Sequence, residues 1–432
     1  MRRCNLSKTG FALLLCGALV VAPTGCSRSS GSSGSGSGTG TRTATPGGGG
    51  GNPTPTPIVD QVIIDGAGTN LGDVIKTYPG GVQIIVSPGT YPPIELTGND
   101  IFGPLTLQAD ETGSFTGRPG TITILAQDKD AAINLNGLNN VVIDGVQTIG
   151  GRRAGMLIVN GNQIVLQHNR VRSATGDGIR IERSSAVLVF DNLMYDNGGI
   201  GLSARGLNTM EAVNNTVYGN RGGGIAFLRL AFDGGSAGSP FGFLLNNIID
   251  QNTGFGIRVD EDSQFGFEGN FNLNNDGYIG VNPGPRDLQA NPQFIFPNGG
   301  EFRMQDTVGP GGSPAVNRGD PNTEAFFVSS LVQRTTRLDG IRDQPPVDLG
   351  YHYPNGIDTP TPPPTFTPRG GGLPTATRTP TSTPTSTPTP TLASQGAGQL
   401  SAGAGGSANS AVIVLPTATA TATPVVDEDL LD

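Results

Sequence analysis

Five asparagines keep one beat along the middle of this chain. Asn169, Asn192, Asn215, Asn247 and Asn270 are separated by 23, 23, 32 and 23 residues. The long step holds a Gly/Ser-rich insertion near Phe232–Pro240, and trimming it restores the period. Each Asn sits in a similar phrase: QHNRV, FDNLM, VNNTV, LNNII and EGNFN. A second set, Asn197, Asn220, Asn252 and Asn275, follows at steps of 23, 32 and 23. After it comes a Gly-rich turn leading into an apolar strand: GDGIRI, GGIGLS, GGGIAF and GFGIRV. A period in the twenties means a solenoid, whose units are too small to enclose a core and bury their apolar side against their neighbours.

The unit is too short for a pair of helices and too rich in β-branched residues for one. From Ile179 to Gly199 it reads as strand (IRI), turn (ERSS), strand (AVLVF), corner at Asn192, strand (LMY) and Gly turn. Three short strands per coil with alternating inward apolar residues form a β-helix pattern. Parallel strands on successive coils lie about 4.8 Å apart, so equivalent Asn side chains stack and their amides bond along the column. Asn also accepts the left-handed backbone of a sharp corner, and Gly serves the other turns. The ladder Asn residues are therefore read as corner-holders, not ligands.

On these coils, Asn169 to Asn275, the chain resembles the right-handed parallel β-helix family. Weaker coils flank them. NNVVIDGVQ puts Gly145 in the ladder register, and VQIIVSPGTYPPIEL (Val82–Leu96) is similar to the opening strands of such proteins. Leu71–Thr77 suits the short amphipathic helix that covers the first coil, and a cover is needed because an open end exposes core and strand edges. NPQF, EFRM, GSPAVNRGD and the Asp339–His352 stretch are similar to the C-terminal closing segment of secreted bacterial members. The resemblance implies an all-β, right-handed, single-stranded parallel β-helix solenoid over residues 58–355, with a short N-terminal helical cap and disordered tails. The fold hosts lyases, hydrolases, epimerases and non-enzymes, so it does not name a reaction.

The ends give an address. Arg2, Arg3 and Lys8 precede an apolar run from Phe11 to Ala22, too short to span a membrane and suited to a signal segment at residues 1–26. Pro-Thr-Gly-Cys at Pro23–Cys26 resembles a lipoprotein cleavage box, with Cys26 the lipid acceptor and Pro23 a departure from the usual aliphatic residue. All three Cys lie in this leader, so the folded domain has no disulfide. Residues 27–57 form a Gly/Ser/Thr/Pro linker, and residues 356–432 a Pro/Thr-rich tail that cannot bury a core. Net charge is −9 and becomes more negative once the leader is removed, the opposite of a nucleic-acid binder.

In this family a substrate groove runs along the face made by the Gly-led strands. Alternation puts Ile179 and Ile181 inside and Arg180 and Glu182 outside; Gly201 and Ser203, Ala226 and Leu228, and Arg258 and Asp260 face out on the following coils. Arg183, Arg205 and Arg229 follow the strands and could overhang the same face. Arginine forks suit uronate carboxylates or sulfates. Asp260, Glu261 and Asp262 could hold calcium, which takes several oxygen ligands. The competing reading is solvated surface charge with the pairs compensating one another.

No catalytic constellation is recognisable. A lyase of this fold uses Lys and Arg, yet the mature chain has only Lys76 and Lys129, both before the regular coils. The Gly-His-Gly segment and the several Asp of related hydrolases are not matched, and Asp177 is a lone echo. Of the two His, His168 precedes a ladder Asn and reads as structural, while His352 has no evident partner. The expected function is an exported, surface-tethered monomer, at an outer membrane or cell surface or secreted, that binds extracellular acidic polysaccharide. Two alternatives stand: a lyase or glycoside hydrolase acting on uronic-acid glycans, and a non-binding spacer or adhesin.

Overall fold

The computed structural model describes residues 60–354 except 207–208, 233–234, 239–240 and 306–311, together with the strand Ala411–Ile413. The leader with Cys26, the linker and the rest of the tail lie outside these residues. Each coil passes through three strands, one in each of three parallel sheets of ten, eight and eight strands, called here sheets 1, 2 and 3. One coil consists of Ser185–Phe190 in sheet 1, Leu193–Tyr195 in sheet 2 and Ile200–Arg205 in sheet 3. The next coil stacks in register, with Val187 opposite Met210, Leu193 opposite Thr216 and Leu202 opposite Ile225. The inward residues Ile179, Ile181, Val189, Met194, Leu202 and Ala204 are fully buried. The first sheet 1 strand, Asp60–Ile64, carries Ala411–Ile413 in parallel on its outer edge.

The corner between sheets 1 and 2 explains the main beat. Asn192 Oδ1 accepts both the backbone N–H of Asn169, at 2.9 Å, and its Nδ2, at 3.0 Å. Asn192 Nδ2 in turn donates to Leu166 O and to Asn215 Oδ1. The same pattern links Asn215 to Asn247. An amide side chain can both accept from the coil before and donate to the coil after.

Two sequence expectations shift here. The rung after Asn247 is Asn272 rather than Asn270, because that coil is two residues longer; Asn247 N and Nδ2 donate to Asn272 Oδ1 at 3.1 and 2.9 Å. The left-handed backbone falls on the residue before each rung: His168, Asp191, Asn214, Asn246 and Phe271 all have φ between 52° and 59°. Gly145, at φ 74°, belongs to this left-handed series, and Val146 takes the rung position, donating its N–H to Asn169 Oδ1.

The second column runs Asn197, Asn220, Asn252 and then Asp276, which accepts Asn252 N and Nδ2 at 2.7 and 2.9 Å in place of the expected Asn275. The first column also ends on a carboxylate, Asp287, which accepts Asn272 N and Nδ2 at 2.8 and 3.1 Å. A last rung has only to accept, and Asp only accepts. The second column also explains the Gly-led strands. A Cβ on Gly178 would lie 2.8 Å from Asn197 Nδ2, and one on Gly201 would lie 2.8 Å from Asn220 Nδ2.

Helix α1, Leu71–Lys76, is capped by Asn70 accepting from Asp73 N–H, and it buries Leu71 and Ile75 against the first coil as expected. The closing segment does more than close. From Phe294 to Pro354 it runs back outside sheets 1 and 2 as a strap. Its helix α2, Ala325–Leu331, sets Phe327 and Leu331 on Val165, Leu188, Phe190, Val213 and Leu245. Phe302, Tyr351 and Tyr353 cover Leu193 and Tyr218. Each such side chain contributes about 1.5–3 kcal/mol by leaving water.

Charges are sealed under the strap. His352, which offered no partner in the sequence, is enclosed between Asp191 and Asp343, with Nδ1 3.2 Å from Asp191 Oδ1 and Nε2 2.8 Å from Asp343 Oδ2. Burial alone would lower its pKa, but hydrogen bonds to the two carboxylates hold it up at about 10, against an ordinary 6.5. Glu111, raised by burial, is held back by Arg170 and Arg334, each 3.6 Å away.

Two outcomes follow from this packing. Asn192→Ala strips the buried Asn169 N–H of its acceptor and should lower the unfolding free energy by about 2–4 kcal/mol in urea denaturation; Asn270→Ala, off the column and bonded to the water-accessible N–H groups of Phe271 and Arg286, should cost less than half as much. Equal losses would contradict the column. Because the folded pKa of His352 is raised, its contribution is complete below about 6.5 and is lost as pH rises through about 10. Glu211, raised to about 7 by burial and by neighbouring Glu324, has largely titrated by about pH 8, where the His352 decline is still under way. His352→Gln should therefore flatten the fall in stability between about pH 8 and 10, and an unchanged slope would assign that fall elsewhere.

Candidate functional site

Sheet 3 carries the first charged cluster on its outward face. The strand Asp177–Glu182 lies between Ala154–Val159 and Ile200–Arg205. Arg180 Nη2 is 2.5 Å from Glu182 Oε1, and Nη1 is 4.0 Å from Asp177 Oδ2. Arg153 reaches the same Glu182 oxygen at 3.3 Å, and Arg205 reaches Asp177 Oδ2 at 3.2 Å. Asp177 also accepts the Ile200 N–H at 2.9 Å and the Ser203 hydroxyl at 2.6 Å. Three guanidiniums from three consecutive coils thus converge on two nearly buried carboxylates. Asp177, only an echo of a motif in the sequence, is the centre of the cluster. Arg153 escaped the sequence reading because it stands just before a strand, outside the alternation; its pairing with Arg152 was the one available signal.

Arg183 turns away. It occupies a left-handed corner and donates through Nε to Asn160 Oδ1 at 2.9 Å, extending an amide row from Asn136.

The remaining charges form a second cluster. Arg258 donates from Nε and Nη2 to Asp260 Oδ1 at 3.1 and 3.0 Å. Arg229 Nε lies 2.7 Å from Asp262 Oδ2, and its backbone N–H donates to Asp260 Oδ2. Glu261 opens the adjoining 3-10 turn, Glu261–Gly266. Asp260 and Asp262 are thereby engaged by arginine. Among the described residues no group of three or more His, Cys, Asp or Glu side chains is arranged to hold a metal ion.

The two clusters do not meet. Arg180 is in register with Ser203, then Ala226, then Arg258, three strand spacings or about 14 Å. The coil between them is apolar outside, where Phe255 packs on Ala226 and Leu228. The insertion forms a ribbon, Leu230–Phe232 against Gly235–Ala237, with Gly238 beside Asp262 and Ser263. The clusters also differ in sign. The first sets three Arg against two carboxylates, and the second sets two Arg against Asp260, Glu261 and Asp262.

Under the strap, Asp144, His168 and Ser330 line up like a nucleophilic relay. His168 Nδ1 is 2.6 Å from Asp144 Oδ1, and Nε2 is 3.1 Å from Ser330 Oγ. A second carboxylate, Asp191 Oδ2, stands 3.8 Å from that same Nε2. The arrangement is a clamp between α2 and the coils.

Residues 114–233 match the family model described as the right handed beta helix region. No curated protein matches the sequence. Among solved structures the crystal structure of pectate lyase Pel9A is similar at 12% identity and a TM-score of 0.36, over 69% of this chain and 97% of that one. A likeness so distant carries no chemistry.

Asp177→Ala leaves the Ile200 N–H and Arg205 without their acceptor and should lower stability by about 2–4 kcal/mol. Asp177→Asn keeps an acceptor for Ile200 and should lose less than half as much in the same melts. Equal losses would mean that charge, not the hydrogen bonds across coils, makes the site rigid.

Proposed function

Taking the chain as a right-handed parallel β-helix protein, as its coil stack and the match at residues 114–233 establish, we propose that it is an exported protein binding acidic polysaccharide on the outward face of sheet 3. The observation carrying this reading is the convergence of Arg153, Arg180 and Arg205 over Asp177 and Glu182. The cluster is a local excess of positive charge on a chain of net charge −9. Its guanidiniums are pre-positioned by the carboxylates beneath, so ordering them on binding costs little further entropy. Arg153 is the most exposed of the three, at 44% against 23% and 22%, and is placed to make the first contact with a uronate or sulfate. The leader read at residues 1–26 supports export, and a lipid on Cys26 would tether the domain through the linker.

Elimination of a uronate needs a base held free of its proton. Each arginine of the cluster is tied to a carboxylate instead, which favours binding over turnover.

Affinity electrophoresis in gels containing polygalacturonate or alginate tests the reading. The wild-type domain should be retarded, and Arg153→Ala and Arg180→Ala should each weaken retention about tenfold, the loss of one charged hydrogen bond. Arg258→Ala, in the separate cluster with excess acid, should change little. Equal retention of all variants would remove sheet 3 as the site. A rise in ultraviolet absorbance from unsaturated product would replace binding with lyase activity.

A further inference from the structure

A cavity of about 540 Å³ opens at the C-terminal end of the stack. It lies between the last strand of sheet 1, Phe267–Asn270, the crossing loop at residues 280–285 and Asp320 of the strap. Its wall combines two kinds of group. Phe243 supplies aromatic surface, and Gln264, Glu268, Asn270 and Asp320 supply polar atoms. Among the described residues no Lys or Arg lines it, in contrast to the face of sheet 3.

Several of these polar groups are held in place with bonding capacity to spare. Asn270 Oδ1 accepts the N–H groups of Phe271 and Arg286, at 3.1 and 3.0 Å, which leaves Nδ2 as a donor. Gln264 Nε2 bonds Val259 O at 3.4 Å, leaving Oε1 as an acceptor. Asp320 is anchored through its own N–H to Asn246 Oδ1 and through Oδ1 to Asn322 N–H, each at 2.9 Å. Glu268 is directly in register with Phe243 on the neighbouring strand, and among the described residues it has no ion-pair partner, whereas Glu182, Asp177 and Asp260 all do.

We propose that this cavity binds one uncharged sugar ring. A pyranose presents an apolar face that suits an aromatic ring and an edge of hydroxyls that each donate and accept. The amide donor of Asn270, with acceptors on Gln264, Glu268 and Asp320, meets the hydroxyls and Phe243 meets the apolar face, and the volume is in the range of small-ligand pockets. Glu268 and Asp320, with no cation in the wall, repel a uronate. The site is therefore distinct in place and in ligand charge from the cluster on sheet 3.

The probes are glucose, galactose, N-acetylglucosamine and glucuronic acid, titrated into the full chain and followed by calorimetry and by NMR shifts of the protein. At least one of the three neutral sugars should bind saturably in the millimolar range, and glucuronic acid at least about tenfold more weakly. Glu268→Gln and Phe243→Leu should each weaken the neutral sugar about tenfold. The first change is on an exposed side chain, and circular dichroism verifies that the second leaves the fold intact. Arg153→Ala should leave this binding unchanged, which separates the cavity from the sheet 3 site. Lack of binding by all three neutral sugars, or binding undiminished in both cavity variants, overturns the proposal.

Discussion

The two buried amide columns are the interaction on which the rest of this molecule depends. Each coil must turn sharply where its strands change sheet, and the backbone N–H groups at those corners are sealed from water. An amide side chain accepts that N–H from the previous coil and passes a donor to the next, so satisfying one corner positions the following one. The register set at the corners is inherited by all three sheets. Gly at the start of the sheet 3 strands is a consequence, since the second column occupies the space a Cβ would need. Asp at the foot of each column is another, since the final rung has nothing to donate to.

Stacking alone leaves the outer faces of sheets 1 and 2 with apolar rows such as Val165, Leu188, Val213 and Leu245. The strap covers them with aromatic and aliphatic side chains. It also seals in His352, Asp191, Glu111, Arg170 and Arg334, and every one of those charges has an opposite charge beside it. Breaking one partner leaves the other buried and uncompensated, which costs more than the pair contributes. The strap's apolar contacts are with sheets 1 and 2, and the outward face of sheet 3 carries the arginine cluster. The division of labour between covered and functional faces follows from where the strap runs.

On sheet 3 the charge is not one continuous stripe. Three arginines gather where two carboxylates hold them, and three coils away the balance reverses. An apolar coil capped by Phe255 separates the two. A long anionic chain laid along this face would meet attraction at one end and excess acid at the other, which localises the binding reading to residues 153–205. At the foot of the stack the cavity beside Phe243 offers the complementary chemistry, polar and aromatic without a cation.

Periodicity along the chain determined the architecture. A beat of 23 residues with Asn at fixed places specifies three strands per coil, inward Ile and Leu, and outward Arg180 and Glu182, because strand alternation and corner chemistry are local rules. The same locality misplaced the ends. Asn270 and Asn275 keep the count, but their coils carry two and one extra residues, so Asn272 and Asp276 take the rungs. Only the tertiary structure decided the rest: that Asp177 gathers Ser203 and Arg205, that Arg153 joins them, that Arg258 stands apart, and that His352 finds Asp191 far back along the chain. Those partners meet because coils stack and the strap doubles back, and contacts made across such distances leave no pattern in the order of residues.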